Sequence, residues 1–245
     1  MRTVAIIQAR MTSTRLPGKI LMEALGRPLL LYELERIKKI EQVDSVVVAT
    51  TGNVSDDPVA ALCYAAGQPV FRGAEHDVLS RFYEAAMEHG AEAVVRFTAD
   101  CPLVDPEISA RAIGHYLDNN DRVDYCAVDV KFTPRPFPRG ADTEAFSMRA
   151  LAEAYAEASS RHEREHVTPF IYERPDRYRS EWIEAEKDLS GYRLTVDTRE
   201  DFELVKAVIE RLYPANPDFS LKDALTLLDS DPALARLNAS VRQKT

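Results

Sequence analysis

Hydrophobic positions along the first half of the chain follow two alternating patterns. Short apolar, β-branched runs predict strands covered on both faces, and apolar residues spaced three or four apart predict helices. The sequence therefore predicts an α/β fold with a mainly parallel, Rossmann-like sheet wound on both faces. The predicted strands are residues 3–8, 45–50, 69–72 and 93–98, and the predicted helices are a segment from Pro28, residues 58–66, a segment from Asp77 through Met87, and residues 106–117.

The pattern changes after residue 124. Residues 131–144 contain three prolines and a glycine among basic, aromatic and acidic residues, which suits an inserted lobe better than a core strand. We expect a single domain over 1–245 with a lobe inserted at about 125–185. Further helices are predicted at 148–158, 163–173, 199–212 and 220–228, with Ser220 as a cap, and further strands at 179–186 and 192–197.

Composition and charge narrow the classes of protein. Of 245 residues, 45% are hydrophobic and 29% charged, as in ordinary globular proteins. The formal net charge of -9 argues against non-specific nucleic-acid binding, which needs many Lys and Arg. The sequence has no apolar run of eighteen residues, and its start has too short an apolar run for a signal peptide. The three cysteines form no metal-binding pattern, so we expect reduced thiols in a cytoplasmic protein without membrane contact.

A local cluster of positive charge opposes the negative charge of the whole chain. Arg2, Arg10, Arg15 and Lys19 fall within nineteen positions that contain no acidic residue. The stretch from Ala9 to Lys19 follows the first predicted strand, at the edge of an open α/β sheet where ligands bind. This stretch suits a triphosphate, because Arg binds phosphate oxygens with two N–H groups, Lys supplies a positive charge, and backbone N–H groups donate further hydrogen bonds. Ser13 stands where a P-loop needs glycine, and a solvated basic loop is the alternative.

Two aspartates also follow predicted strands. Asp100 comes directly after residues 93–98, where Mg²⁺ could meet one protein oxygen and several phosphate oxygens. A turn or helix cap before Pro102 is the alternative for Asp100. Asp197 ends the predicted strand 192–197 and precedes a helix, while Asp201 is interpreted as a first-turn helix residue.

Several segments together resemble one known family. The string IIQARMTSTRLPGK resembles the N-terminal signature of the CMP-sugar synthetases, the acylneuraminate/KDO-type cytidylyltransferases, and particularly their spore-coat polysaccharide (SpsF-like) branch. The similar segments spread from residue 4 to about residue 205. They continue with FRGAEHDVLSRF from Phe71, RFTADCPLVDP from Arg96, RGADTEAF from Arg139, REHVTPFIY from Arg164, and RLTVDTREDFELV from Arg193.

The resemblance implies a nucleotide-diphospho-sugar transferase type of fold and a Mg²⁺-dependent reaction. CMP would pass from CTP to a small acidic, nonulosonate-like sugar in surface polysaccharide biosynthesis, with release of pyrophosphate. The inserted lobe would serve dimerisation and acceptor binding in a homodimer. REHVTPFIY resembles the dimer-forming element, and His166 is interpreted as a packed interface histidine, with a site role as the alternative.

The resemblance also implies roles for particular residues. Asp100 and Asp197 would bind Mg²⁺, and Arg10, Arg15 and Lys19 would stabilise the triphosphate. Arg72 could equally make a surface salt bridge. Arg139 could pair with a carboxylate or a phosphonate on the acceptor, while Gly140 permits close backbone approach. The expected nucleotide-binding residues are Ala9, Arg10, Ser13, Lys19, Arg72 and Thr98, and the expected acceptor-binding residues are Arg139, Asp142 and Glu144.

Two other classes of protein are alternatives to a cytidylyltransferase. A nucleotide-sugar glycosyltransferase would carry a DxD motif, but the sequence has only DSD from Asp229, in a helical tail where a cap is expected. A non-catalytic nucleotide-binding protein would not require Arg15, Lys19, Asp100 and Asp197 together.

Overall fold

The computed structural model describes residues 1–128 and 136–243. They form a seven-stranded sheet in the order β5-β4-β1-β6-β8-β7-β9, and a separate two-stranded hairpin of β2 and β3. The strands are β1 Thr3–Gln8, β2 Glu23–Ala24, β3 Arg27–Pro28, β4 Ser45–Thr51, β5 Val70–Gly73, β6 Ala93–Thr98, β7 Tyr125–Ala127, β8 Glu144–Ser147 and β9 Ser180–Trp182.

The first half of the sheet is parallel. β1 pairs in parallel with β4 and β6, and β4 with β5, whereas β8 is antiparallel to both β6 and β7. The predicted α/β class with a mainly parallel sheet is confirmed. The carboxyl ends of β1, β4 and β6 consequently meet at one edge.

Helices cover both faces of this sheet, while the last three helices form a third apolar cluster with β2 and the first helix. The helices are α1 Leu29–Ile37, α2 Asp57–Ala65, α3 Val78–Glu88, α4 Pro106–Asp118, α5 Met148–Glu157, α6 Arg161–His166, α7 Pro169–Tyr172, α8 Arg199–Leu212, α9 Leu221–Ser230 and α10 Pro232–Ala235. Ala5 and Ile7 of β1 pack into the cluster containing α1, α2 and α4, while Val4 and Ile6 pack with α3 and α5. Since successive strand residues face opposite sides, a continuous apolar strand is what a sheet wound on both faces requires.

Side-chain caps begin the predicted helices. Asp77 accepts a hydrogen bond from Ser80 N at the start of α3, and Ser220 accepts one from Asp223 N at the start of α9. Asp201 forms a capping box with Thr198 at the start of α8, as its first-turn interpretation expects. Asp231, the last residue of the DSD sequence, caps α10.

Two predictions of secondary structure are wrong. Residues 192–197 form no strand, because Leu194 N and Val196 N donate to carbonyls of loop residues, Arg139 and Asp100, instead of a neighbouring strand. The predicted helix 163–173 splits into α6 and α7 at Val167, whose φ is +72°. Pro169, two residues later, is the first residue of α7, and a proline begins a new helix more readily than it continues one.

The segment 125–185 contributes β7, β8 and β9 to the central sheet. Residues 129–135, part of the irregular stretch assigned to an inserted lobe, lie outside the described residues. The assignment of 125–185 to a separate lobe remains a prediction. Within the described ranges, no helix is both long and apolar enough to cross a bilayer.

Candidate active site

The loop of residues 9–19, here called the basic loop, leaves the carboxyl end of β1. Ala9 N donates to Ala49 O at 3.1 Å, and Met11 N donates to Asp56 Oδ1 at 2.7 Å. Gly18 then closes the loop by donating to Met11 O at 2.9 Å with a φ of +71°. A side chain at Gly18 would be strained and would approach the Met11 side chain to 3.2 Å. This turn directs Lys19 back towards the sheet edge.

Lys19 joins the two predicted metal-binding aspartates. Its Nζ lies 3.0 Å from Asp100 Oδ2 and 2.9 Å from Asp197 Oδ1, although 178 positions separate Lys19 from Asp197. Arg15 Nη2 lies 2.9 Å from the same oxygen of Asp197. Three predicted site residues, Arg15, Lys19 and Asp100, therefore converge on Asp197 in a single cluster.

Electrostatics in this cluster favour the charged forms. Burial alone would lower the pKa of Lys19, but the attraction of Asp100 and Asp197 outweighs it, and the pKa is raised. Burial alone would also raise the pKa of Asp100, yet Lys19 holds it below its usual value. The Lys19 ammonium and the Asp100 carboxylate therefore stabilise one another as ions.

Hydrogen bonds connect the backbone at Asp100 with the residues directly before Asp197. Val196 N donates to Asp100 O at 2.8 Å, and Thr195 Oγ1 donates to the same carbonyl at 3.1 Å. On the other side, Gly140 lies against residues 194 and 195 with a φ of +104°, and a Cβ there would lie 2.8 Å from Leu194 C. Gly140 thus lies close to the protein's own backbone, whereas its role beside an acceptor remains a prediction.

A cavity of about 350 Å³ opens beside Asp100 and Asp197. It contains all three predicted acceptor-binding residues, Arg139, Asp142 and Glu144, together with Thr98. His166, which the sequence suggested as an interface histidine, also lines this cavity. The lining residues without a predicted site role are Arg96, Cys101, His162, Thr168, Tyr172, Thr195 and Gln243.

Glu144 is tied into the wall of this cavity. It is 4% exposed and accepts hydrogen bonds from Arg96, from Tyr125 Oη at 3.0 Å and from Thr168. Arg96 was missed because a single arginine in an apolar strand carries no spacing signal. Contact between Glu144 and an acceptor remains a prediction.

The other predicted nucleotide-binding residues lie along the basic loop and β5. Ser13 lines a second cavity, of about 550 Å³, formed by the basic loop and Ser55. Arg72 forms the salt bridge that the sequence left as an alternative, at 2.7 Å from Asp57, and donates to Thr51 O at 2.9 Å. Arg10 is an exposed loop residue. Burial, and then the positive charge of Arg10, lowers the pKa of Arg81 to about 10.

Glu33 of α1 is a buried acid beside this site. The residue is 0% exposed, and neither carboxyl oxygen has a hydrogen-bond partner among the described residues. Burial, and then repulsion from Asp100, raises the pKa of Glu33 well above its usual value, against the attraction of Lys19. Burial therefore favours the uncharged form of Glu33 behind the charged cluster.

The donors present fit Mg²⁺ better than a metal enclosed by protein. Asp100 and Asp197 converge on one cation position, that of the Lys19 ammonium. The described residues include no group of three or more His, Cys, Asp or Glu that could hold a metal ion. Mg²⁺ commonly uses one or two carboxylates and takes its remaining ligands from water and phosphate oxygens.

The fold and this cluster define the class of nucleotidyltransferases: an α/β sheet with a cationic loop after its first strand, one carboxylate after β6 and a second carboxylate that a loop brings beside it. The sequence matches the cytidylyltransferase family over residues 4–227, and the chain belongs to that family. The resemblance drawn from the motifs is confirmed, as is the prediction of a nucleotidyltransferase enzyme.

Individual relatives agree with this family. The chain is 34% identical over 237 residues to the spore coat polysaccharide biosynthesis protein SpsF of Bacillus subtilis, covering 94% of this chain and 95% of that protein. It is 36% identical over 121 residues to a 3-deoxy-manno-octulosonate cytidylyltransferase of Geobacter sulfurreducens, covering 49% and 47%. The structure of a cytidylyltransferase from Leptospira borgpetersenii superposes with a TM-score of 0.90 at 32% identity, covering 100% and 99%.

Proposed function

We propose that this cytidylyltransferase transfers CMP from CTP to a nonulosonate-like sugar acid, with release of pyrophosphate, in surface polysaccharide biosynthesis. The observation that carries the proposal is the contact of Lys19 with both Asp100 and Asp197 beside the 350 Å³ cavity. It supports a site where a triphosphate and a divalent cation are bound together. The names of the similar SpsF and octulosonate proteins support the polysaccharide and sugar-acid assignments.

In the proposed mechanism, Arg10, Arg15 and Lys19 bind the triphosphate and stabilise the negative charge that develops on it. Asp100 and Asp197 would hold Mg²⁺, which when bound offsets charge on the phosphate oxygens. An acceptor hydroxyl oxygen forms a bond to the α-phosphorus, the bond from this phosphorus to the bridging oxygen breaks in line, and the hydroxyl proton is released.

The acceptor is proposed to lie in the 350 Å³ cavity, which has the size of a small-molecule site. Arg139 supplies a guanidinium that suits a carboxylate, and Asp142 and Glu144 line the same cavity. We also propose a cytoplasmic homodimer; the three cysteines are buried and form no disulfide, which suits a reducing compartment.

Product analysis tests this function directly. The protein is incubated with Mg²⁺, each of the four nucleoside triphosphates in turn and a panel of sugar acids. Pyrophosphate release and mass spectrometry should show a CMP conjugate from CTP alone. Asp100→Asn should remove most of this activity, whereas Asp176→Asn, at an exposed position, should retain it.

Other outcomes would contradict the proposal. Binding of CTP with Mg²⁺ but no conjugate with any acceptor would indicate a non-catalytic nucleotide-binding protein. Transfer of a sugar from a nucleotide-sugar would indicate a glycosyltransferase. Conjugates of a different nucleotide would overturn the choice of base.

A further inference from the structure

Arg193 links the site aspartate to a buried helix cap. Its Nη2 donates to Asp197 Oδ2 at 2.7 Å, and its Nε donates to Asp201 Oδ1 at 2.9 Å. The Arg193 side chain is 9% exposed and that of Asp201 is 0% exposed. A guanidinium can serve two carboxylates in this way because its N–H groups point in fixed directions.

The same unit fixes the backbone around Asp197. Asp201 Oδ2 accepts from Asp197 N at 3.0 Å and from Thr198 N at 3.1 Å. Both the main chain and the side chain of Asp197 are therefore held through Asp201 and Arg193. Asp197 Oδ1, the oxygen that Arg193 does not bind, is the one that contacts Arg15 and Lys19.

Two residues of the C-terminal segment complete the unit. Asn238 Nδ2 donates to Arg193 O at 3.0 Å and to Asp201 Oδ1 at 2.8 Å. Arg193 Nη1 donates to Gln243 Oε1 at 2.7 Å, and Gln243 also lines the 350 Å³ cavity. The segment after α10 is thereby connected to Asp197 through one arginine.

We propose that Arg193 is a positioning residue for Asp197, which holds one carboxylate oxygen so that the other faces the cation position shared with Asp100. This inference rests on the proposed Mg²⁺-dependent function. Two effects of removing Arg193 oppose each other: one less positive charge would favour metal binding, and loss of orientation would weaken it. The second should prevail because Arg193 also neutralises the buried Asp201, whose unpaired charge would disturb residues 197 and 198.

The test compares Arg193→Gln and Arg193→Lys with Arg174→Gln. Arg174 is a matched control, since its Nη2 lies 2.6 Å from Glu163, which like Asp201 belongs to a capping box, here that of α6. Binding of Mn²⁺ in the presence of CTP is followed by electron paramagnetic resonance, and the melting temperature of each variant is recorded. The Mg²⁺ dependence of pyrophosphate release is measured separately from the CTP dependence.

Arg193→Gln should weaken Mn²⁺ binding about 10- to 100-fold, the usual effect of losing a group that orients a metal ligand. Arg193→Lys should recover only part of the loss, because an ammonium lacks the fixed fork. Arg174→Gln should lower the melting temperature without changing Mn²⁺ binding. Unchanged or tighter binding in folded Arg193→Gln would overturn the inference, whereas absence of Mn²⁺ binding in the unmodified protein would instead overturn the proposed function.

Discussion

Replacing Glu33 by Gln should stabilise the protein, and increasingly so as the pH rises. Glu33 is fully buried without a hydrogen-bond partner among the described residues, and burial raises the pKa of its carboxyl group. Gln has nearly the same shape and no proton to lose. The substitution therefore removes a titration while leaving the packing of α1 against the sheet in place.

The sign and size follow from proton binding. Above the usual pKa of 4.5, the unfolded chain releases the Glu33 proton while the folded protein keeps it. The free energy of unfolding therefore falls by about 1.4 kcal/mol per pH unit through this one group, until the pH reaches the raised folded-state pKa. Glu33→Gln escapes this loss, so its advantage in melting temperature should grow by about 3 to 6 °C per pH unit for a chain of this size.

Glu35→Gln, on the same helix, is the matched control. Glu35 Oε2 lies 2.5 Å from Arg27 Nη1 and 2.9 Å from Tyr213 Oη. Burial would raise the pKa of Glu35, but its hydrogen bonds with Arg27 and Tyr213 lower it overall. Its stabilisation is present above the usual value of 4.5 and is lost as the pH falls through the lowered folded pKa, so Glu35→Gln should show a constant deficit between about pH 5 and pH 8.

Differential scanning calorimetry measures the melting temperatures of the unmodified protein, Glu33→Gln and Glu35→Gln between about pH 5 and pH 8. A difference between Glu33→Gln and the unmodified protein that does not change with pH would refute the reasoning. A deficit of Glu33→Gln that stays constant across this range, like that expected of Glu35→Gln, would show that Glu33 is ionised and paired in the folded state.

The remaining predictions concern other parts of the site and fold. Gly140→Ala should destabilise the protein by about 1–3 kcal/mol in denaturant unfolding, because its positive φ and contact with Leu194 exclude a side chain, whereas Gly191→Ala has open space and should not. Lys19→Met should lower kcat/KM for CTP about 10²- to 10³-fold in a pyrophosphate-release assay, and Lys38→Met, at an exposed position after α1, should not; equal activities would remove Lys19 from the triphosphate site. Ser220→Ala should cost about 1 kcal/mol of unfolding free energy through loss of the α9 cap, and an unchanged value would contradict the capping assignment.

The sequence predicted the elements of the parallel half well because their patterns are local. β1 and β6 have the predicted bounds, and β4 extends one residue further. The strand predicted at residues 192–197 is absent because strand-like alternation does not specify a partner strand. The backbone N–H groups of this segment donate instead to the carbonyls of residues 100 and 139. The convergence of Lys19, Asp100 and Asp197 was expected from the family resemblance, whereas the rule about strand ends holds for Asp100 after β6 and not for Asp197, which follows a loop.

Some site residues left a signal that sequence analysis did not use. Glu33 occupies a position on the apolar stripe of α1 formed by Leu30, Leu34 and Ile37, where a charged residue indicates a buried group with a special environment. Asp56 left none: an acid at a helix start is common, and its bond to Met11 N depends on how the basic loop folds. Arg193 was also undetectable, since its partners include Asn238 and Gln243, more than forty positions later.

The separation of Lys19 from Asp197 has a consequence for protein synthesis. The basic loop leaves the ribosome while most of the chain is still untranslated, yet its lysine gains the second carboxylate only after 178 further positions have been added. Asp197 in turn is held by a unit that includes Asn238. A nascent or prematurely terminated chain therefore has the residues of its N-terminal parallel strands but lacks part of the ion cluster. The cluster and the unit that holds Asp197 require residues from both ends of the chain.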